Sequence, residues 1–126
     1  MPFTIKHTRF KDYLEVTIHS TITPGKEIEE ATQRWTKVAD LCEVENCHRI
    51  LAILHFKGTY TKDKAFKLVD AAKKFGWKVH NKLAVVPVDE EWFYRLSFTE
   101  TTMNRLGYEM KLFRNKRNGK KWLLQT

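Results

Sequence analysis

The residues best suited to chemistry stand together in the run His55-Phe-Lys57-Gly58-Thr59-Tyr-Thr61. If solvent reaches it, His55 with Lys57 can hold an anion, and the C-terminal edge of a strand is where open α/β sheets place their ligands. The competing reading is a structural histidine satisfied by its neighbours. Gly58 allows a tight turn, and Thr61 is placed to cap a following helix. His55, Lys57, Gly58, Thr59 and Thr61 form the first candidate ligand-binding group.

A second group is aromatic. Trp92-Phe93-Tyr94 are consecutive in a segment with helical signals. Successive helical residues are ~100° apart, so three neighbours spread over ~200° of arc. One account buries Phe93 and Leu96 and leaves Trp92 or Tyr94 at the surface. The other makes the run a movable lid over an apolar pocket, or an anchor at a membrane interface, where rings with one wet edge are suited. On that account Trp92, Phe93 and Leu96 line a ligand site, and Trp92→Ala leaves the melting temperature nearly unchanged.

Catalysis finds little support. Ser20 and Ser97 lack a G-x-S-x-G context, and no H-E-x-x-H, Walker A or G-x-G-x-x-G occurs. Glu90 and Glu91 are adjacent, which points them apart on a helix and suits a negatively charged first turn. Cys42 and Cys47 have only His48 close by, without zinc-ligand spacing, and read as reduced structural thiols. No catalytic residue, metal or cofactor is expected.

The 126-residue chain carries a net charge of +8, unevenly spread. Residues 57–82 and 110–126 each carry +6, and 83–109 carry −3. Lys64, Lys67, Lys73 and Lys74 make one basic group; Lys116, Arg117, Lys120 and Lys121 make the other. Brought together, they would offer a positive face to phosphate, lipid head groups, nucleic acid or an acidic protein. Kept apart, they are solvated lysines that maintain solubility. Nucleic acid ranks behind the other partners, because no recognition motif is present.

These groups need a frame. The length suits one domain over residues 1–126, and no apolar run approaches the ~20 residues of a membrane span. The Met1-Pro2-Phe3 start shows no signal-peptide pattern, so a cytoplasmic location is expected, with peripheral membrane contact open and a dimer allowed. Residues 3–10 and 13–22 read as an antiparallel hairpin; Leu14, Val16 and Ile18 alternate with Glu15, Thr17 and His19. Thr23-Pro24 reads as a helix start, with Ile28, Ala31, Trp35, Val38 and Cys42 as its inner stripe. Ile50 to Leu54 is an uncharged run suited to a strand buried on both faces. A helix over 61–75 follows, then a buried strand over 82–88 with Pro87 near its end. Asp89 starts the third helix, residues 108–113 make a last strand, and a basic helix over 115–124 closes the chain. Strand–helix alternation gives an α/β fold with a mostly parallel sheet and an antiparallel N-terminal hairpin.

The segments Arg49-Ile-Leu-Ala-Ile-Leu-His-Phe-Lys-Gly58, Lys82-Leu-Ala-Val-Val86, Phe98-Thr-Glu-Thr101, Asn104-Arg-Leu-Gly107, Met110-Lys-Leu-Phe113 and Trp122-Leu123 resemble, in order and spacing, the SpoIIAA-like proteins of the STAS fold group, which is similar to the lipid-binding CRAL-TRIO fold. The likeness spans nearly the whole chain. It implies a non-enzymatic regulatory or binding domain for a partner protein or a small apolar or anionic ligand, with a lipid or small-molecule carrier as the alternative. In anti-sigma-factor antagonists a serine at the start of the helix after the central strand is phosphorylated. Thr61 falls nearest that position, although the Asp-Ser pattern is absent. His55 stands where the STAS pattern has an acidic residue. In the SpoIIAA-like branch the third helix, here bearing Trp92 to Tyr94, is suspected of moving to expose a cavity.

Overall fold

The computed structural model describes residues 3–58, Lys67, Asp70 and 76–125. Its centre is β3 (Arg49–Lys57), flanked by parallel strands on both sides. The sheet runs in sequence order, from β1 (Phe3–Arg9) through β2 (Leu14–Thr21), β3 and β4 (Lys82–Pro87) to β5 (Glu109–Leu112). β1 and β2 form the expected antiparallel hairpin, and every later pairing is parallel. The two buried strands read from the sequence lie side by side, with Ile50 opposite Leu83 and Leu54 opposite Pro87.

Period-2 alternation divides the core between the two faces of the sheet. Leu14, Val16, Ile18, Ile50, Ala52 and Leu54 point to one face, with Leu83 and Val85. Two helices cover it: α1 (Glu27–Glu45) brings Val38, Ala39 and Cys42, and α2 (Glu90–Arg105) brings Trp92, Leu96 and Met103. Leu51, Ile53, Ala84 and Val86 point to the other face, beneath α3 (Lys116–Leu123) and its Leu123. An uncharged run in β3 is therefore required, because both faces of that strand are roofed.

Two helix starts differ in their agreement with the sequence. Asp89 caps α2 as expected, its carboxylate accepting from the Glu91 amide at 2.8 Å. The first helix begins later than Thr23-Pro24 suggests. Gly25, at φ +86, takes a turn that no helix continues through, and α1 starts at Glu27. Glu30 reaches back instead: its carboxylate accepts from the Thr23 amide at 3.1 Å and the Thr23 hydroxyl at 2.8 Å. The inner stripe also includes Arg34, which is only 1% exposed. Trp35 is partly buried and meets Trp77 edge-on at 6.1 Å. Both cysteines are free and buried, and burial pushes the Cys42 thiol up to about 12. The helix expected over 61–75 lies outside the described residues apart from Lys67 and Asp70, and so do Lys64, Lys73 and Lys74 of the first basic group.

Gly119 sets how closely α3 approaches the sheet. A Cβ there would stand 2.9 Å from the Leu51 Cδ1, with Phe113 and Ala84 just beyond. Overpacking of this kind costs about 1–3 kcal/mol. Gly119→Val is expected to lose stability on that scale in denaturant melts, and Leu51→Ala in the same chain to absorb part of the loss. Strict additivity of the two substitutions would show that α3 does not rest on Leu51.

Candidate functional site

Parallel register brings together residues that lie far apart in the sequence. His19 stands opposite His55, and Thr21 opposite Lys57, at the C-terminal ends of β2 and β3. The two imidazoles stack with ring centroids 4.2 Å apart and planes 9° from parallel. Around them opens a groove of about 600 Å³, lined by Thr4, His19, Thr21, His55, Lys57 and Asp89 among others. It lies at the rim of the sheet, where strands end and amides and side chains face solvent.

The rim carries one exposed cation, the Lys57 ammonium, beside the half-buried His55 imidazole. His55 is held below its ordinary pKa of 6.5, first by partial burial and then by the nearby His19 ring. One carboxylate, that of Asp89, sits on the rim, already engaged in capping α2. Ser20 and Phe56 form the inner wall, and buried Arg34 lies behind them. Its guanidinium donates to Ser20 Oγ at 3.1 Å and stacks 4.8 Å from the Phe56 ring. The arrangement offers stacked rings and fixed positive charge, with hydroxyls at the border. It can hold an anionic group. Among the described residues there is no group of three potential metal ligands.

The sequence-predicted residues divide into four sets. His55 and Lys57 line the groove. Gly58 stands at its border in a structural role, since its φ is +90 and a Cβ would lie 3.1 Å from that of Ile22. Thr59 and Thr61 lie outside the described residues. Trp92, Phe93 and Leu96 are not among the residues that line the groove.

The aromatic run must be reassigned. Trp92 is only 3% exposed, so it is neither a scattered surface ring nor a solvent-facing lid. Its indole N–H donates to the Gly58 carbonyl at 3.0 Å, and its ring meets Phe56 edge-on at 5.2 Å. The outward member is Tyr94, 65% exposed. Phe93 is partly buried, and the Arg114 guanidinium covers its ring at 4.2 Å while pairing with Glu90. The segment before α2 is also tied down. Pro87 lacks an amide, but the Val88 amide donates to Leu54 O at 2.9 Å and continues the ladder.

Residues missed in the sequence are His19, Ser20, Thr21 and Arg34. His19 carries a readable sign, since it falls on the wet side of an alternating strand. Its alignment with His55 depends on a register that composition does not reveal. Arg34 gives no sign, because an arginine on a helix is ordinarily a surface residue.

No protein-family model and no curated protein matches this chain. Among solved structures, an anti-sigma factor antagonist from Mycobacterium paratuberculosis superposes with a TM-score of 0.60. The sequences are 9% identical, over 98% of this chain and 95% of that one. That likeness is one of fold, and it gives this chain the STAS-type, SpoIIAA-like architecture expected from the sequence. An uncharacterised protein with a SpoIIAA-like fold from Shewanella loihica aligns at a TM-score of 0.49 and 17% identity, over 96% of this chain and 93% of that one. No helix among the described residues is long and apolar enough to cross a membrane.

Two outcomes test this geometry. Trp92→Ala is expected to cost about 3–5 kcal/mol, the loss typical of a large buried aromatic. Trp92→Phe should cost about 1 kcal/mol, for the bond to Gly58. Unchanged melts for both would return Trp92 to the surface. For His55, the folded state binds its proton less readily than the unfolded chain does. Its contribution is therefore present above 6.5 and is lost as pH falls from there through the lowered folded value. NMR titration should place His55 below 6.5, and His19→Ala should move its midpoint upward.

Proposed function

We propose that this chain is a non-enzymatic, STAS-type regulatory domain that binds a partner protein at the C-terminal rim of its sheet. The observation that carries this reading is the open groove of His19, His55 and Lys57. It is too open to enclose a small molecule, and its charge suits a carboxylate or phosphate group displayed by a protein. The fold is shared with an anti-sigma factor antagonist, a protein named for acting on another protein. The carrier reading loses its main support, because Trp92 belongs to the core and is hydrogen-bonded there. Thr61 follows Gly58 closely in sequence, and we assign it as the candidate phosphosite. A phosphate there would add about −1.5 to −2 charges three residues after Gly58 in the sequence.

The test is a photocrosslinking residue placed at position 21, where exposed Thr21 lines the groove, compared with one at Val44, an exposed site on α1. One discrete protein adduct at 21 and none at 44 is the expected result. Lys57→Glu should weaken binding of that protein roughly tenfold or more, the worth of one hydrogen bond to a charged group. Equal adducts at both positions, or unchanged affinity in the variant, would overturn the assignment.

A further inference from the structure

Among the described residues, much of one face of the sheet carries no helix. On the side opposite α1 and α2, α3 roofs Leu51 and Ala84. The outer residues of the hairpin beside it stay open: Thr4, Lys6, Thr8 and His19 are exposed, and Thr17 is half-buried. This surface is polar, so no apolar element is missing from it. It is bordered by cations. Lys6 lies on β1, opposite Thr17, while Lys116, Arg117 and Lys120 follow along α3. Glu15, an acid on this face, is engaged by Lys116 at 3.2 Å.

Flat ring surfaces stand at both ends of this strip. At the hairpin tip Phe10, 41% exposed, stacks on Tyr13 with centroids 4.8 Å apart. These two rings line a recess of about 460 Å³ together with Glu15, Leu51, Lys116, Arg117 and Lys120. Lys120 Nζ lies 5.6 Å from the Tyr13 ring. At the other end is the exposed His19 ring of the stacked pair. Tyr13, Glu15, Thr17 and His19 alternate along one face of β2, so the two ends are about 20 Å apart at the rise of a strand.

We propose that this face binds single-stranded nucleic acid. One base stacks on Phe10, another reaches His19, and Lys6, Arg117 and Lys120 hold the phosphates between them. Proteins that take single strands combine a cationic track with ring surfaces for successive bases, and both are present here in line. Charge complementarity favours a polyanion, and the spacing of the rings favours one that carries flat bases. A lipid surface would find a single exposed apolar ring, Phe10, on this strip. The inference shares His19 with the rim groove, but Phe10, Arg117 and Lys120 lie outside it, so variants at those three test it apart from the partner-protein reading.

The test is fluorescence anisotropy with labelled oligouridine and oligothymidine at low and physiological salt. A duplex of equal length and phosphatidylserine vesicles serve as competing probes. The intact chain should bind the single strands and prefer them to both competitors. Phe10→Ala should weaken binding by at least about fivefold, the lower end for loss of one stacked base. Arg117→Glu with Lys120→Glu should reduce the slope of log affinity against log salt by about 1.4, at about 0.7 per phosphate contact. Arg117 and Lys120 are exposed, so melts of that double variant should stay unchanged, and Phe10→Ala, which also loses its stack on Tyr13, is compared well below its own melting temperature. Lys57→Glu should disturb the partner crosslink more than the oligonucleotide, which keeps the two readings separable. Absence of binding at low salt, full affinity in Phe10→Ala, or tighter binding of duplex or vesicles would each overturn the proposal.

Discussion

The parallel pairing of β3 on both edges is the constraint from which the other features follow. A strand hydrogen-bonded on two sides and covered on two faces can carry polar groups only where it leaves the sheet. In β3 the change occurs between Leu54, 1% exposed, and half-buried His55. Parallel alignment then places the end of β2 level with the end of β3, so Thr21 meets Lys57 as His19 meets His55. The rim groove is a product of that register. It needs no special loop, only two strands that end together.

The same constraint explains why the aromatic segment is held where it is. β4 ends at Pro87, opposite Leu54, and the chain turns directly into α2 through the cap at Asp89. The first turn of α2 therefore brings the Trp92 side chain over the ends of the strands, where its indole N–H donates to the Gly58 carbonyl at 3.0 Å. A bond of this kind is worth about 0.5–1.5 kcal/mol, and it requires that carbonyl to stay within reach of the ring. Gly58 meets the requirement from the other side, since its positive φ and the closeness of Ile22 leave no room for a side chain.

The sequence made the fold legible because its strands differ in kind. The unbroken run at Ile50–Leu54 signals burial on both faces, and the alternation of Leu14, Val16 and Ile18 signals burial on one. Each pattern has a single arrangement that satisfies it, so sheet order and direction follow. Helix ends were less legible. Asp89 is a local signal acting locally, whereas Thr23-Pro24 resembles a cap but is overruled by Gly25, and Glu30 takes over from the first turn of α1. The candidate site was legible by halves for a similar reason. His55 and Lys57 announce themselves as polar residues ending an apolar run, while His19 matters only through its alignment with another strand. Trp92 misled because composition counts three adjacent rings without saying which one has a hydrogen-bond acceptor within reach.

Charge adds a second level of organisation. α1 carries acids at Glu27, Glu29, Glu30, Asp40, Glu43 and Glu45 against Arg34 and Lys37. On the opposite side of the sheet, α3 carries four cations and no acid. Of the described helices, α1 is thus negative on one side of the sheet and α3 positive on the other. An approaching polyanion would be turned by this field before contact, so that it meets the α3 side first, and the effect would fade as added salt shortens the screening length to about 8 Å. The rim groove opens at the end of that same α3 side, where Thr4, His19, His55 and Lys57 share one face of the sheet. Specificity there must come from short contacts to His19, His55 and Lys57, and long-range attraction must act through α3. Two surfaces with different salt sensitivities can therefore coexist on one small sheet.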